Sequence, residues 1–116
     1  MNQLSVNKRN QYIRKLVSNA RAIVTGQIDF PDGSLKMEKI LLWINSIQPI
    51  TETSFDIFVE FNKKTIPFAI GQERLAWHKD SLIGKDKELN NLVFIYREKL
   101  LEKCSEIIKI FGEKQY

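Results

Sequence analysis

The side chains best suited to chemistry cluster in AWHKDSLIGKDKEL, residues 76–89, which contain the only histidine of the chain, His78. A histidine beside carboxylates such as Asp80 can bind a metal ion or carry a proton near neutral pH. A metal site needs several ligands that converge on one point, and the single cysteine, Cys104, lies 26 positions farther along the chain. Glu73 and His78 are five positions apart, a poor spacing for a shared helical face. The sequence therefore predicts no metal site.

Nucleophilic and acid–base chemistry have equally little support in the sequence. Cys104 falls in an apolar stripe, where a thiol packs rather than reacts. The carboxylate pairs Asp86 with Glu88 and Glu98 with Glu102 fit an exposed helix surface better than a buried acid–base pair. Neither G-x-G-x-x-G nor G-x-x-x-x-G-K occurs, so the sequence lacks a glycine-rich cradle for phosphate. We expect no catalytic residue, no cofactor and no enzymatic activity.

Trp77 and His78 are kept as candidates for contact with a partner, because an imidazole can make a contact that depends on pH. The alternative interpretation places both residues at a joint before the last helix, which Asp80 or Ser81 would cap. Both tryptophans, Trp43 and Trp77, are interpreted as part of the core or its rim rather than as a platform for a ligand.

Apolar residues at helical spacing predict the first two helices. The first helix begins at about Asn10, and Gly26 would end it. The stretch GQIDFPDGS, residues 26–34, has turn composition and predicts a loop. Ser34 would cap the second helix, which ends before Pro49.

The longest apolar stripe predicts a last helix from Ser81 to Gly112. Its width indicates contacts on two sides, as in the central helix of a bundle. The stripe comprises Leu82, Leu89, Val93, Tyr96, Leu100, Cys104, Ile107 and Phe111.

The pattern of residues 53–62 fits either a strand or a helix. Alternating apolar residues favour a strand, but Thr53 with Asp56 resembles a capping box and a lone strand would lack a partner. We therefore favour a short helix. Residues 63–71 are predicted to be extended, because Pro67 disfavours helical backbone in the residue before it.

Composition places these elements in a single domain, residues 1–116. Hydrophobic residues make up 43% of the chain and charged residues 28%, as in an ordinary globular protein. The expected fold is an all-α, single-domain bundle of about four to five helices with a long C-terminal helix. One cysteine, no signal-peptide pattern and no apolar run of about 20 residues predict a cytoplasmic protein that is not in a membrane.

The net charge of +4 comes entirely from the first helix and the residues that lead into it. Residues 1–25 contain five basic and no acidic side chains, whereas the remaining 91 residues contain 13 basic and 14 acidic ones. Four of the five basic side chains fall on one helical face, opposite the apolar stripe. A basic face can bind an acidic protein or a phosphate backbone, or it can simply be solvated. The candidate partner-binding residues on it are Lys8, Arg14, Lys15 and Arg21.

Four stretches within residues 20–111 resemble a family of small bacterial helical domains of uncharacterised function: ARAIVTGQIDFPDGSLKMEKI, TIPFAIGQERLAW, SLIGKDKEL and YREKLLEKCSEIIKIF. The resemblance implies two helices joined by a glycine turn, a proline-containing extended piece and a long last helix. It implies no catalytic residues. Some members of such families resemble immunity proteins of polymorphic or contact-dependent toxin systems.

Three kinds of partner follow from these observations. The leading hypothesis is a non-enzymatic protein-binding domain, an immunity protein that binds and neutralises a cognate bacterial toxin. The alternative is a nucleic-acid-associated or regulatory domain that uses the basic first helix. The sequence disfavours nucleic-acid binding, because aromatic residues are not interleaved with the cations of the first helix and no basic recognition helix follows. A self-associating module, with an exposed patch formed by Trp43, Phe58 or Phe61, is the third hypothesis.

Overall fold

Four helices make up the described part of the computed structural model, which covers residues 2–68 and 79–113, with side chains in the last helix from residue 84 onward. In chain order they are α1 (Gln3–Val24), α2 (Phe30–Asn45), α3 (Asp56–Thr65) and α4 (Lys79–Phe111). These residues contain no strand. The predicted all-α bundle with a long C-terminal helix is confirmed.

The first helix, α1, is longer than its apolar pattern predicts. It begins at Gln3, because the side chain of Asn2 accepts a hydrogen bond of 2.8 Å from the Ser5 amide and caps the first turn. The predicted start near Asn10 is wrong, since a cap and polar turns precede the apolar stripe. Gly26 follows the helix with a φ of 76°, which favours glycine and confirms the predicted end.

The second helix, α2, begins before the predicted cap. Asp29 is the N-cap, and its carboxylate accepts a hydrogen bond of 3.1 Å from the Asp32 amide. Pro31 lies in the first turn, where a residue without an N–H group is tolerated. The predicted loop is therefore too long, because the residues just before Ser34 form the first turn of α2. Ser34 is buried inside that helix and does not cap it.

The third helix, α3, settles the ambiguity of residues 53–62 in favour of a helix that begins at Asp56. The predicted cap by Thr53 is wrong, because Ser54 Oγ accepts the Asp56 amide at 3.2 Å and Thr53 instead contacts α4. The helix continues to Thr65, so the extended conformation predicted from residue 63 is also wrong.

Ile66 keeps helical backbone angles, φ −50° and ψ −42°, although Pro67 follows it. The Phe68 amide donates a hydrogen bond of 2.9 Å to the Thr65 carbonyl and closes one more turn. This turn stabilises a conformation that proline alone disfavours. The rest of the predicted extended segment, residues 69–71, lies outside the described residues.

The last helix, α4, spans the molecule. It begins at Lys79, before the predicted start and the predicted caps Asp80 and Ser81, and it ends before Gly112 as predicted. A rise of about 1.5 Å per residue gives it a length of roughly 50 Å, close to the longest dimension of the chain, 52 Å. The buried stripe on its described part is Tyr96, Leu100, Cys104, Ile107 and Phe111.

The core lies where α1 packs against both α2 and α4, with α3 packed on α2 and α4. Phe58 and Phe61 of α3 are fully buried, and the ring centroid of Phe61 lies 5.5 Å from that of Tyr96. An exposed self-association patch containing Phe58 or Phe61 is therefore excluded, because the apolar face of α3 packs into the core. Trp43 is at the rim, 39% exposed.

The helices α1 and α2 approach each other closely at Gly33. A Cβ atom added to Gly33 would lie 2.5 Å from Ile23 Cγ1 and 2.8 Å from Ile23 Cδ1. Asn19 Nδ2 also donates a hydrogen bond of 2.9 Å to the Gly33 carbonyl. This crossing fixes the relative position of the two helices that form the candidate site.

Candidate protein-binding site

The four predicted cations of α1 are all exposed, and we call Lys8, Arg14, Lys15 and Arg21 the basic face. Uncharged, exposed Gln11 and Ser18 lie between them along the helix. The opposite side of α1 is buried in the core. The buried residues on that side are Ile13, Leu16, Val17, Ala20 and Ile23.

Arg21 also contributes to the fold. A Cβ atom added to Gly112 would lie 2.9 Å from a terminal nitrogen of Arg21, so the guanidinium lies against the C-terminal end of α4. Arg21 is in the last turn of α1 as well. Because the C-terminal end of a helix carries partial negative charge, a cation here stabilises both helix ends.

Arg9, the remaining cation of α1, is directed away from the basic face. Its Nε donates a hydrogen bond of 2.8 Å to the Gln48 carbonyl, and a terminal nitrogen lies 3.5 Å from the Pro49 carbonyl oxygen. Arg9 therefore holds the chain after α2 against α1, which is consistent with its omission from the predicted candidates.

A groove of about 560 Å³ lies between α1 and α2, directly beside the basic face. Lys15 of the basic face lines it together with Lys36 and Lys39 of α2, and none of the described lining residues is acidic. Its apolar part includes two incompletely buried side chains, Leu35 at 44% and Trp43 at 39% exposure. Ser18, Asn19, Ala22 and Ile40 complete this α1–α2 groove.

Trp43 lines the groove and contacts two neighbouring side chains. The Tyr12 ring centroid lies 5.4 Å from that of Trp43 with the planes tilted by 40°, and Lys39 Nζ lies 5.8 Å from the Trp43 ring. A cation over an indole ring is stabilised by its quadrupole. The aromatic ring is therefore packed in place beside the lysines.

Asn19 places an unpaired acceptor beside the groove. The residue is 3% exposed, and its Nδ2 donates to Gly33. Its Oδ1 has no hydrogen-bond partner among the described residues. A buried acceptor without a donor costs about 1–3 kcal/mol.

Sequence reasoning found Lys15 but missed the α2 side of this groove. Leu35, Lys36, Lys39 and Trp43 recur at helical spacing, which was a usable signal that they share a face. The pairing of that face with α1 depends on the crossing at Gly33, which local pattern does not encode. Trp77 and His78, the other two predicted contact residues, lie outside the described residues.

The nucleophile considered from sequence is a packed core thiol, as predicted. Cys104 is fully buried, and burial raises the pKa of its thiol to about 12. Almost no reactive thiolate is present at neutral pH.

A small polar cluster fastens the chain before α3 to α4. Lys103 Nζ donates to both Glu106 and Thr53, and Thr53 Oγ1 donates a hydrogen bond of 2.9 Å to Glu106 Oε2. The hydrogen bond from Lys103, with a smaller contribution from Thr53, holds the pKa of the Glu106 carboxyl below its ordinary value. An ionised carboxylate used in this way anchors a loop, and a lowered pKa makes it a poor general acid.

Within residues 2–68 and 79–113, no three His, Cys, Asp or Glu side chains are grouped in a way that could hold a metal ion. In the same part of the chain, no helix combines the length and apolar character needed to cross a membrane.

Comparison of the chain with family models, with curated proteins and with solved structures finds no match in any of the three.

Proposed function

We propose that this chain is a non-enzymatic protein-binding domain, most concretely an immunity protein that binds an acidic surface of a cognate bacterial toxin in the cytoplasm. The observation that carries the proposal is the continuity of two positively charged surfaces. Lys15 belongs both to the basic face and to the α1–α2 groove, where Lys36 and Lys39 add their charge.

Charge of one sign, gathered on one side, steers association with a partner of the opposite sign. The groove adds apolar contact area at Leu35 and Trp43, and interfaces need such contacts because charge pairs at the rim contribute little affinity. The positive charge of the basic face and groove disfavours a nuclease with a basic cleft as the toxin, because two basic surfaces repel each other. The toxin version of the proposal rests on the sequence resemblance to small bacterial helical domains of uncharacterised function, some members of which resemble immunity proteins.

Co-expression with the protein encoded beside this chain tests the proposal. We expect rescue from toxicity and a stable complex for the wild type, and loss of both for the double variant Lys8→Glu, Lys15→Glu. Lys63→Glu, Lys99→Glu is the matched control, because these exposed lysines lie on α3 and α4 and the change in net charge is the same. A toxic neighbour that is neither bound nor neutralised would refute the immunity version. Equal loss in both double variants would refute docking on the basic face.

A second candidate function, nucleic-acid binding, is supported by one observation. Trp43 lies beside Lys39 and packs against Tyr12 of α1, so aromatic rings accompany the cations of the α1–α2 groove. Fluorescently labelled single-stranded DNA and RNA test it. Affinity that falls steeply with salt would support this function, with a slope of about 0.7 per phosphate contact in a double logarithmic plot. No binding at low salt would exclude it.

A further inference from the structure

The lysines of the α1–α2 groove define the charge of its occupant. Lys36 and Lys39 are three positions apart on α2, a spacing that brings side chains to within about 5–6 Å at Cβ. Lys15 faces them from α1 across the groove. Since none of the described lining residues is acidic, carboxylates of the occupant would meet the lysines without local competition.

The apolar residues of the groove define the length and shape of its occupant. Leu35 and Trp43 are eight positions apart on α2, which corresponds to about 12 Å along the helix axis. Both side chains are partly exposed, and the lysines lie between them. A helical segment with apolar side chains seven or eight positions apart covers the same distance, and acidic residues between those positions would face the lysines.

The lining of the groove favours a peptide over a nucleobase. The Trp43 ring already contacts Tyr12 and Lys39, which leaves less of it for base stacking, whereas the remaining apolar lining is aliphatic, from Leu35, Ala22 and Ile40.

We infer that the α1–α2 groove binds an acidic amphipathic helical segment of a protein partner. Two apolar side chains of this segment pack against Leu35 and Trp43, and its carboxylates pair with Lys36, Lys39 and Lys15. The inference rests on the proposed protein-binding function and names the part of the partner that is recognised.

A synthetic peptide tests the inference without knowledge of the partner. The probe is a fluorescein-labelled peptide of about 15 residues, with leucines seven positions apart and glutamates between them on the same helical face. One control peptide carries lysine in place of glutamate, and a second carries serine in place of leucine. Fluorescence anisotropy at low salt should give saturable binding of the acidic probe, at least about tenfold tighter than that of either control.

Variants of the protein locate the binding site. Leu35→Glu should weaken binding of the probe at least about tenfold, because it removes an apolar contact and adds a repelling charge. Leu42→Glu is the matched control: Leu42 is on the same helix and 65% exposed, but it does not line the groove. Lys36→Glu, Lys39→Glu should abolish binding, whereas Lys63→Glu, Lys99→Glu should not. Circular dichroism checks that each variant folds.

The inference is overturned if the acidic probe does not bind, or if Leu35→Glu and Leu42→Glu weaken binding equally. It is also overturned if the protein binds a single-stranded oligonucleotide but not the peptide, and if the Lys36→Glu, Lys39→Glu variant no longer binds that oligonucleotide. Failure of the proposed function is distinguishable. If the complex with the neighbouring protein is weakened by reversal of Lys8 and Lys15 but unchanged by Leu35→Glu, only the inference about the groove is refuted. If the peptide binds but no such complex forms, only the toxin-binding role is refuted.

Discussion

Replacement of Gly33 by alanine should destabilise the chain although alanine is the better helix former. The added methyl carbon would lie 2.5 Å and 2.8 Å from two carbons of Ile23, whereas carbon atoms in favourable contact are about 3.5–4.0 Å apart. Ile23 is 4% exposed and cannot turn out into solvent. Either its side chain leaves a preferred rotamer or α1 and α2 move apart.

The magnitude follows from two opposing effects. Overpacking of a buried site destabilises a protein by about 1–3 kcal/mol. Replacement of glycine by alanine inside a helix stabilises it by up to about 1 kcal/mol. We therefore expect a net loss of up to about 2 kcal/mol in the free energy of unfolding, which places Gly33→Ala about 1–3 kcal/mol below the gain that helix propensity alone would give.

Urea denaturation followed by circular dichroism measures this loss. Gly84→Ala in α4 is the matched control, because nothing lies within 4 Å of the added Cβ atom and only the helix-propensity gain of about 0.5–1 kcal/mol should remain. In an Ile23→Ala background, Gly33→Ala should no longer destabilise. If Gly33→Ala gains as much stability as Gly84→Ala, the account of the α1–α2 crossing is wrong.

Three further predictions concern single side chains. In the folded chain Cys104 should have roughly a thousandfold less thiolate than in the unfolded chain, because its pKa rises from 9.0 to about 12; thiol modification at pH 8 with and without urea checks this. Folding lowers the pKa of Glu106 below 4.5, so its ionised carboxylate stabilises the chain above that pH and the stabilisation is lost as pH falls through the lower folded value. The excess stability of wild type over Glu106→Gln, less than about 1 kcal/mol because the carboxylate is partly exposed, should therefore shrink in denaturation curves below pH 4.5. Arg21→Met should lower the melting temperature through a loss of about 0.3–1 kcal/mol at two helix ends, whereas Lys8→Met should not.

Periodicity of apolar residues predicted the helical fold because the bundle buries one stripe of each helix. The stripe of α4 from Tyr96 to Phe111 is buried as predicted, and the end of α1 at Gly26 follows from the positive φ that glycine adopts. These features are local, so the sequence displays them directly.

Helix starts were predicted less well because several residue types compete for the cap. Asp29 and Ser34 can both accept a hydrogen bond from a free amide, and Pro31 decides between them by fitting the first turn. Thr53 could cap α3 in isolation, but its hydroxyl instead forms hydrogen bonds with Lys103 and Glu106 of α4. The choice depends on tertiary contacts that the local sequence does not contain.

The candidate site was half predictable for the same reason. The basic face belongs to one helix, and its residues were found from their spacing on α1. The α1–α2 groove needs Lys36, Lys39 and Trp43 from a second helix, and their position beside Lys15 depends on how the two helices cross.

The most direct test of protein binding through the basic face and groove is the affinity of the purified chain for the protein encoded beside it, measured by titration calorimetry. The account predicts a defined complex whose affinity falls with added salt and falls at least about tenfold further in Lys8→Glu, Lys15→Glu, while the control Lys63→Glu, Lys99→Glu keeps the wild-type value. An affinity that is independent of salt and unchanged by reversal of Lys8 and Lys15 would contradict it.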